Sequence, residues 1–325
     1  MQRLQALHPL RAALNLASPA GARARLSILV YHRVLPVVDP LFPEAPDRHS
    51  FDWQMGMLAR HFNVLPLAEA GRRLRDNTLP PRAACITFDD GYADNVTEAL
   101  PILLRHGLPA TFFIASGFLD GGRMFNDTLI EWVRRLPPGT LDLDGLGLGR
   151  HTIDDAASRR ALIVQLIETC RYLPLHERLE RVQAIVATHP LTLPDDLMLS
   201  SAQLRVLAHA EGISIGAHTR SHPILSRIDD AASRIEIERG KLDLERTVDV
   251  PIRLFAYPNG QPGRDYEARH VAMVQHAGFD LALSTRTAAA SHTSDPWQLP
   301  RYAPDDGTPM RFALNMLRTT AQGNA

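Results

Sequence analysis

Short apolar runs rich in β-branched and aromatic residues recur along the chain, each followed by a longer stretch whose apolar positions have helical spacing. The runs at 26–31 (LSILVY), 84–88 (ACITF), 110–115 (ATFFIA), 213–217 (ISIGA), 253–257 (RLFAY) and 279–284 (FDLALS) predict buried strands. Helical spacing predicts helices over 51–62, 67–76, 94–106, 126–136, 155–187 with a break at Pro174, 201–210, 229–248 and 266–277. Repeated β-α units demand a mostly parallel sheet, open or closed into a barrel. The loops after its strands share one face, so chemistry-bearing residues at strand ends are brought together there.

Residues 120–200 separate two strand signals by far more than one crossover helix needs. They predict a helical insertion on the main domain, a lid or substrate wall, rather than an independent domain. Residues 1–25 read as an N-terminal segment, helical or partly disordered, ahead of a domain spanning 26–325. The 325 residues are 45% hydrophobic and 22% charged, and 35 basic against 36 acidic side chains leave nothing that points to nucleic acid. Cys85 and Cys170 are too few for a disulfide scaffold or a Cys-rich zinc motif. No run of about 18 apolar residues exists, which excludes a transmembrane span. The first 27 residues carry four arginines and no acid, but Pro9, Arg11 and Asn15 interrupt any apolar core of a secretory signal. Their leucines can line an amphipathic helix that touches a membrane surface or the protein's own body. The expectation is a protein of the cytoplasm or inner membrane face; its oligomeric state is not written in the sequence.

The strand at 84–88 runs into TFDDGYADN, where Asp89 and Asp90 stand side by side before Gly91. Two adjacent carboxylates after an apolar strand are costly unless a cation or hydrogen bonds compensate them. A divalent metal would do so; a turn capping the helix at 94–106 is the alternative. After the strand at 213–217, HTRSHP places His218 and His222 four positions apart, which turns two imidazoles to one side on a helix or in a tight turn before Pro223. Among fourteen histidines one such pair can arise by chance. Both motifs end strands, and so would share a face. One carboxylate and two imidazoles with an open position suit zinc or a similar divalent ion, which activates water while a neighbouring carboxylate serves as base. Successive side chains leave an extended chain in different directions, so the two aspartates can divide those roles.

TFDDG together with H-T-x-x-H-P resembles the polysaccharide deacetylase family, also called the NodB-homology domain or carbohydrate esterase family four, over about residues 26–303. The resemblance implies an α/β fold, an irregular, distorted (β/α) barrel. It implies that Asp89 is the general base and that Asp90, His218 and His222 hold one divalent ion, zinc or else cobalt, nickel or manganese. It also implies an oxyanion hole that uses the backbone N–H of Tyr92 where negative charge develops. RLFAYPNG at 253–260 is similar to the family's third motif and sets Tyr257, Pro258 and Asn259 along the substrate groove. Many members carry in that motif an arginine that pairs with the base. Ala256 stands at that position here, and Arg301 in LPRY is either its long-reaching substitute or a partner in a surface salt bridge. Tyr257, Trp297 and Tyr302 can stack on sugar rings or belong to the core.

The family's usual leaving-group acid is a histidine in a late L-x-L-x-H motif. After FDLALS stand Thr285 and Arg286, and His292 lies too far along to match. A branch typified by exported deacetylases acting on poly-N-acetylglucosamine carries Y-H-x-V on an early strand, which LVYHRV resembles. His32 is then the general acid, with His292 as fallback. Asn126 and Asp127 are expected to cap the helix they begin, or to touch the groove. The expected reaction is metal-dependent removal of N-acetyl groups from N-acetylhexosamine units of a polysaccharide, oligosaccharide or lipid-linked glycan. Two rivals are a related C–N hydrolase of a small amide or imide, and a glycan-binding protein of this fold without turnover, suggested by Ala256 and the missing late histidine.

Overall fold

The computed structural model describes residues 8–304 and 307–322. Helix α1 (His8–Ala17) precedes β1 (Leu26–Tyr31). Then α2 (Arg48–His61), the short β2 (Asn63–Val64) and α3 (Leu67–Arg75) lead to β3 (Ala83–Phe88). A π-helical turn, Asn95–Ala99, runs into α4 (Leu100–His106), followed by β4 (Ala110–Ile114). The insertion holds α5 (Phe125–Arg135), β5 (Thr140–Asp142), β6 (Arg150–Thr152), α6 (Ala156–Arg171) and α7 (Leu175–Ala187). After it come α8 (Ser201–Ala208), β7 (Ile213–Ala217), α9 (Asp230–Val248), β8 (Leu254–Ala256), α10 (Ala268–His276), β9 (Leu281–Leu283) and α11 (Pro309–Gln322).

One parallel sheet runs β1-β3-β4-β7-β8-β9, with β2 also on β3. Every residue of β1, β3 and β4 is buried, as a sheet covered on both faces requires. Register sets Tyr31 beside Phe88 and Phe88 beside Phe112, and the last two rings stack with centroids 4.6 Å apart. The edges of the sheet meet through an irregular segment: Leu299 bridges Leu283, and Tyr302 bridges Leu29. Its Tyr302 amide donates to Ile28 and its carbonyl accepts from Val30, both at 3.0 Å. Pro300 between them has no N–H to give, so the closing segment is not a regular strand. This curled α/β sheet matches the fold class read from the alternation.

The 120–200 stretch is not purely helical, because β5 and β6 form an antiparallel ribbon. Strands of three residues carry too little periodicity to be read from a sequence. The insertion has its own apolar cluster around Leu129, Trp132, Ile163 and Ile185. Pro174 separates α6 from α7, as expected. At the N-terminus α1 turns its leucine face to the body, with Leu14 fully buried in the main core beside Phe312 and Met316 of α11. Among the described residues no helix is long and apolar enough to cross a membrane.

Candidate active site

The site is assembled one residue past the last register pairs. The Asp89 amide donates to the Tyr31 carbonyl at 2.9 Å, so β1 and β3 deliver His32 and Asp89 side by side. His218 follows Ala217 of β7, and its Nδ1 donates to the carbonyl of Ala256 at 2.7 Å. That bond puts the proton on Nδ1 and leaves Nε2 as an acceptor, 3.6 Å from Asp90 Oδ1. His222 returns through a turn in which Thr219 and His222 have φ of 61° and 53°. Thr219 Oγ1 accepts the His222 amide, and Glu236 on α9 accepts the amides of Arg220 and Ser221. Asp90 is also left-handed, with φ 76°. Such non-glycine conformations cost about 1–3 kcal/mol each and persist only where surrounding bonds over-determine them. Here three of them sit in the two loops that carry the imidazoles and the carboxylates.

The donor atoms of Asp90, His218 and His222 lie within 4.8 Å of one another, with His222 Nε2 3.4 Å from Asp90 Oδ1. That same Oδ1 is buried and has no hydrogen-bond partner. One orphaned carboxylate oxygen facing two imidazole nitrogens is a donor set that a zinc-like ion fits. Burial lowers the pKa of His218 to about 4, and burial together with the neighbouring His218 takes His222 well below the usual histidine value. Both rings therefore stay neutral at ordinary pH, as ligands must. Burial and the Asp89 charge push the Asp90 carboxyl up, the imbalance that a bound cation would relieve.

Arg301 is fully buried rather than at the surface, and it grips both oxygens of Asp89 at 2.7 and 2.8 Å. Its Nε donates to the Ser284 carbonyl at the end of β9, and Nη1 reaches Thr87 Oγ1. Burial alone would raise the Asp89 pKa; the Arg301 charge, helped by His218 and His32, overrides it and brings it to about 2.

Two residues within the quoted TFDDGYADN stretch were passed over by sequence reasoning. Asn95 Nδ2 donates to the His32 carbonyl at 2.9 Å, while Asp94 accepts from the Val34 amide and pairs with Arg33 at 2.7 Å. Asp94 is thus spent on the β1 loop and makes no cap bond to the π-helical turn it precedes. The His32 side chain keeps solvent access, but the protein atoms crowding it lower its pKa against the pull of Asp89. Gly91 accepts from Leu199 and Ala93 donates to Leu197, a ladder in which the Tyr92 amide takes no part. The Tyr92 hydroxyl donates to Asp127 at 2.9 Å.

Other expected contacts are not brought to this point. Tyr257 is fully buried with its ring stacked 3.8 Å from that of Tyr266, and Tyr302 is a core residue, so neither offers a ring face to a sugar. Pro258 is buried, and Asn259 forms a left-handed turn whose carbonyl accepts the Thr285 hydroxyl. Trp297 donates to the Phe279 carbonyl, before the start of β9 and hence at the opposite end of the sheet. His292 lies two positions past Ala290, which bridges Leu26 at the start of β1, so it too is remote. The helix beginning near Asn126 has Met124 at its N-cap position without a side-chain cap bond, and Asp127 lies in its first turn.

The family pattern described as polysaccharide deacetylase matches residues 76–137 and 194–282. The unmatched gap coincides with the ribbon and α6–α7 of the insertion, and the matched parts hold Asp89, Asp90, His218 and His222. The chain belongs to the polysaccharide deacetylase family. YxkH of Bacillus subtilis (strain 168), provisionally named a polysaccharide deacetylase, is 32% identical over 132 residues, 40% of this chain and 43% of that protein. The match thus spans less than half of that relative's length. Two solved structures of deacetylase folds superpose along most of the chain. The Streptococcus pyogenes deacetylase PplD in complex with acetate has a TM-score of 0.61 at 18% identity, covering 91% of this chain and 98% of its own. IcaB from Ammonifex degensii has a TM-score of 0.57 at 19% identity, covering 94% and 98%.

Proposed function

We propose that the chain is a metal-dependent N-deacetylase of glycans bearing N-acetylhexosamine. The observation that carries this reading is the convergence of Asp90, His218 and His222 beside an Asp89 held ionised by Arg301. Asp90, His218 and His222 would hold the divalent ion, and one oxygen with two imidazole nitrogens best suits zinc. Such an ion, when bound, polarises the acetamide carbonyl and acidifies water enough for a carboxylate as weakly basic as Asp89 to take its proton. Arg301 keeps Asp89 charged and oriented. The Tyr92 amide, free of the adjoining ladder, is available to the developing oxyanion. His32 stands beside Asp89, whose charge only partly offsets the burial that lowers its pKa, so as general acid it would pass to the departing amine a proton gained during the reaction rather than one held at rest.

The test is acetate release from N-acetylglucosamine oligomers by purified protein, before chelation, after it, and after zinc is returned. Release that chelator stops and zinc restores is expected. A zinc-loaded protein that frees no acetate from any acetamido sugar sinks the reading and leaves the glycan-binding alternative.

A further inference from the structure

A cavity of about 430 Å³ lies beside the site, between the loop that follows β1 and helix α5. His32 and Tyr92 line it, but Asp90, His218 and His222 do not. It is therefore a compartment next to the reacting centre, joined to it by Tyr92, whose backbone follows Gly91 in the site loop. Its volume falls within the roughly 300–1,000 Å³ usual for small-molecule sites. Phe42, Pro46, Ile130 and Pro304 give it apolar wall.

Asp127 supplies the polar feature. It is 3% exposed, its Oδ1 accepts the Tyr92 hydroxyl, and its Oδ2 has no hydrogen-bond partner. The cavity's other ions are occupied: Arg33 pairs with Asp94, Arg134 with Asp39 and Glu131. A carboxylate in the first turn of α5 suits the helix N-terminus. The Met124 amide at the start of α5 also stabilises this carboxylate, yet a solvated side chain would serve the helix equally, and Oδ2 remains buried without a well-formed hydrogen bond. Apolar wall together with an acceptor that lacks a donor complements a pyranose, which offers C–H faces and a hydroxyl rim.

We propose that this cavity is a subsite for the pyranose unit adjoining the one being deacetylated, with a ring hydroxyl of that unit donating to Asp127 Oδ2. The proposal rests on the deacetylase reading for the kind of sugar, so its test reads binding rather than turnover. Calorimetry on the zinc-loaded full chain, carrying Asp89→Asn to stop hydrolysis, compares N-acetylglucosamine with its linear trimer. A hydrogen bond to a buried carboxylate predicts that the trimer binds about tenfold tighter or more. Asp127→Leu removes the acceptor and Ile130→Trp fills the space; each should bring the trimer to within about threefold of the monomer. A trimer no tighter than the monomer overturns the proposal, as does a length advantage that survives in either variant with an intact thermal transition. Should Asp127→Leu fail to fold, Ile130→Trp decides alone. Length-dependent binding without acetate release from the unsubstituted protein would remove the deacetylase reading and leave the subsite standing. Acetate release without length-dependent binding would do the reverse.

Discussion

Arg301 donates from both terminal nitrogens to the two carboxylate oxygens of Asp89, across 212 positions of sequence. Both side chains are buried, so the pair is a fixed charge unit and not a surface ornament. Arg301→Met would leave Asp89 uncompensated and should cost about 3–5 kcal/mol in urea unfolding. Arg301→Lys keeps a charge but loses the fork. With weaker compensation burial raises the Asp89 pKa, and because the proposed base acts in its ionised form, the acid limb of kcat/KM should move to higher pH. An unmoved acid limb in a folded Arg301→Lys protein would separate Arg301 from the base.

Asp89 and Asp90 are neighbours in sequence with different assignments, which metal analysis can tell apart. Asp90→Ala and His218→Ala should lose zinc from the purified protein, whereas Asp89→Asn should retain it and lose turnover. The opposite distribution of zinc would exchange the two roles.

His32 is held by its backbone, through Asn95, and its ring is free to act. His32→Ala should lower kcat by about 10²–10⁴ with zinc content unchanged, the usual worth of a general acid. Asn95→Ala, which loosens the carbonyl and not the ring, should give a smaller fall in kcat. Equal kinetics for His32→Ala and the parent protein would return His32 to a structural role.

How much of this could be read beforehand depends on how locally each feature is encoded. Strands buried on both faces make unbroken apolar runs, and Asp89, Asp90, His218 and His222 follow such runs directly, so position in sequence mapped onto position in space. Arg301 rides on an irregular segment containing Pro300, where no periodicity exists, and only its reach and permanent charge made it a candidate. Tyr257 shows the converse. It also follows a strand directly, but which way a ring turns after a strand end depends on packing, and Tyr266, nine positions on, takes its face. The clamp of Asp94 and Asn95 on the β1 loop is tertiary, between residues 60 and 63 positions apart, and no local pattern announces it.

Burial raises the Asp127 pKa to about 6, against the pull of the Tyr92 hydroxyl and Arg33. An unfolded aspartate titrates near 3.9. The folded state thus binds this proton more tightly, and the stability it confers is complete below about pH 4 and lost as pH rises through about 6. Two pKa units correspond to about 3 kcal/mol at most. Asp127→Asn removes this dependence, so its stability relative to the parent should improve between about pH 4 and pH 7. Urea unfolding at both pH values reads the change; a difference that stays constant would mean that Asp127 is already ionised in the folded protein at low pH.

Gly240 is the point at which α9 meets the turn that carries the two imidazoles. A Cβ there would come within 2.6 Å of the Thr219 carbonyl carbon and 3.0 Å of the Arg220 nitrogen. These are backbone atoms, and the turn is already strained at Thr219 and His222, so it cannot yield as a flexible side chain would. Gly240→Ala gains up to about 1 kcal/mol of helix propensity but incurs an overpacking cost of about 1–3 kcal/mol. The net expectation is a loss of about 0–2 kcal/mol together with weaker zinc binding, although every donor atom is retained. Gly145→Ala, which meets nothing within 4 Å, is the control and should leave zinc affinity unchanged. Thermal melts and zinc titration of both variants test this; a Gly240→Ala protein more stable than its parent and equal in zinc affinity would show that α9 does not set the spacing of His218 and His222.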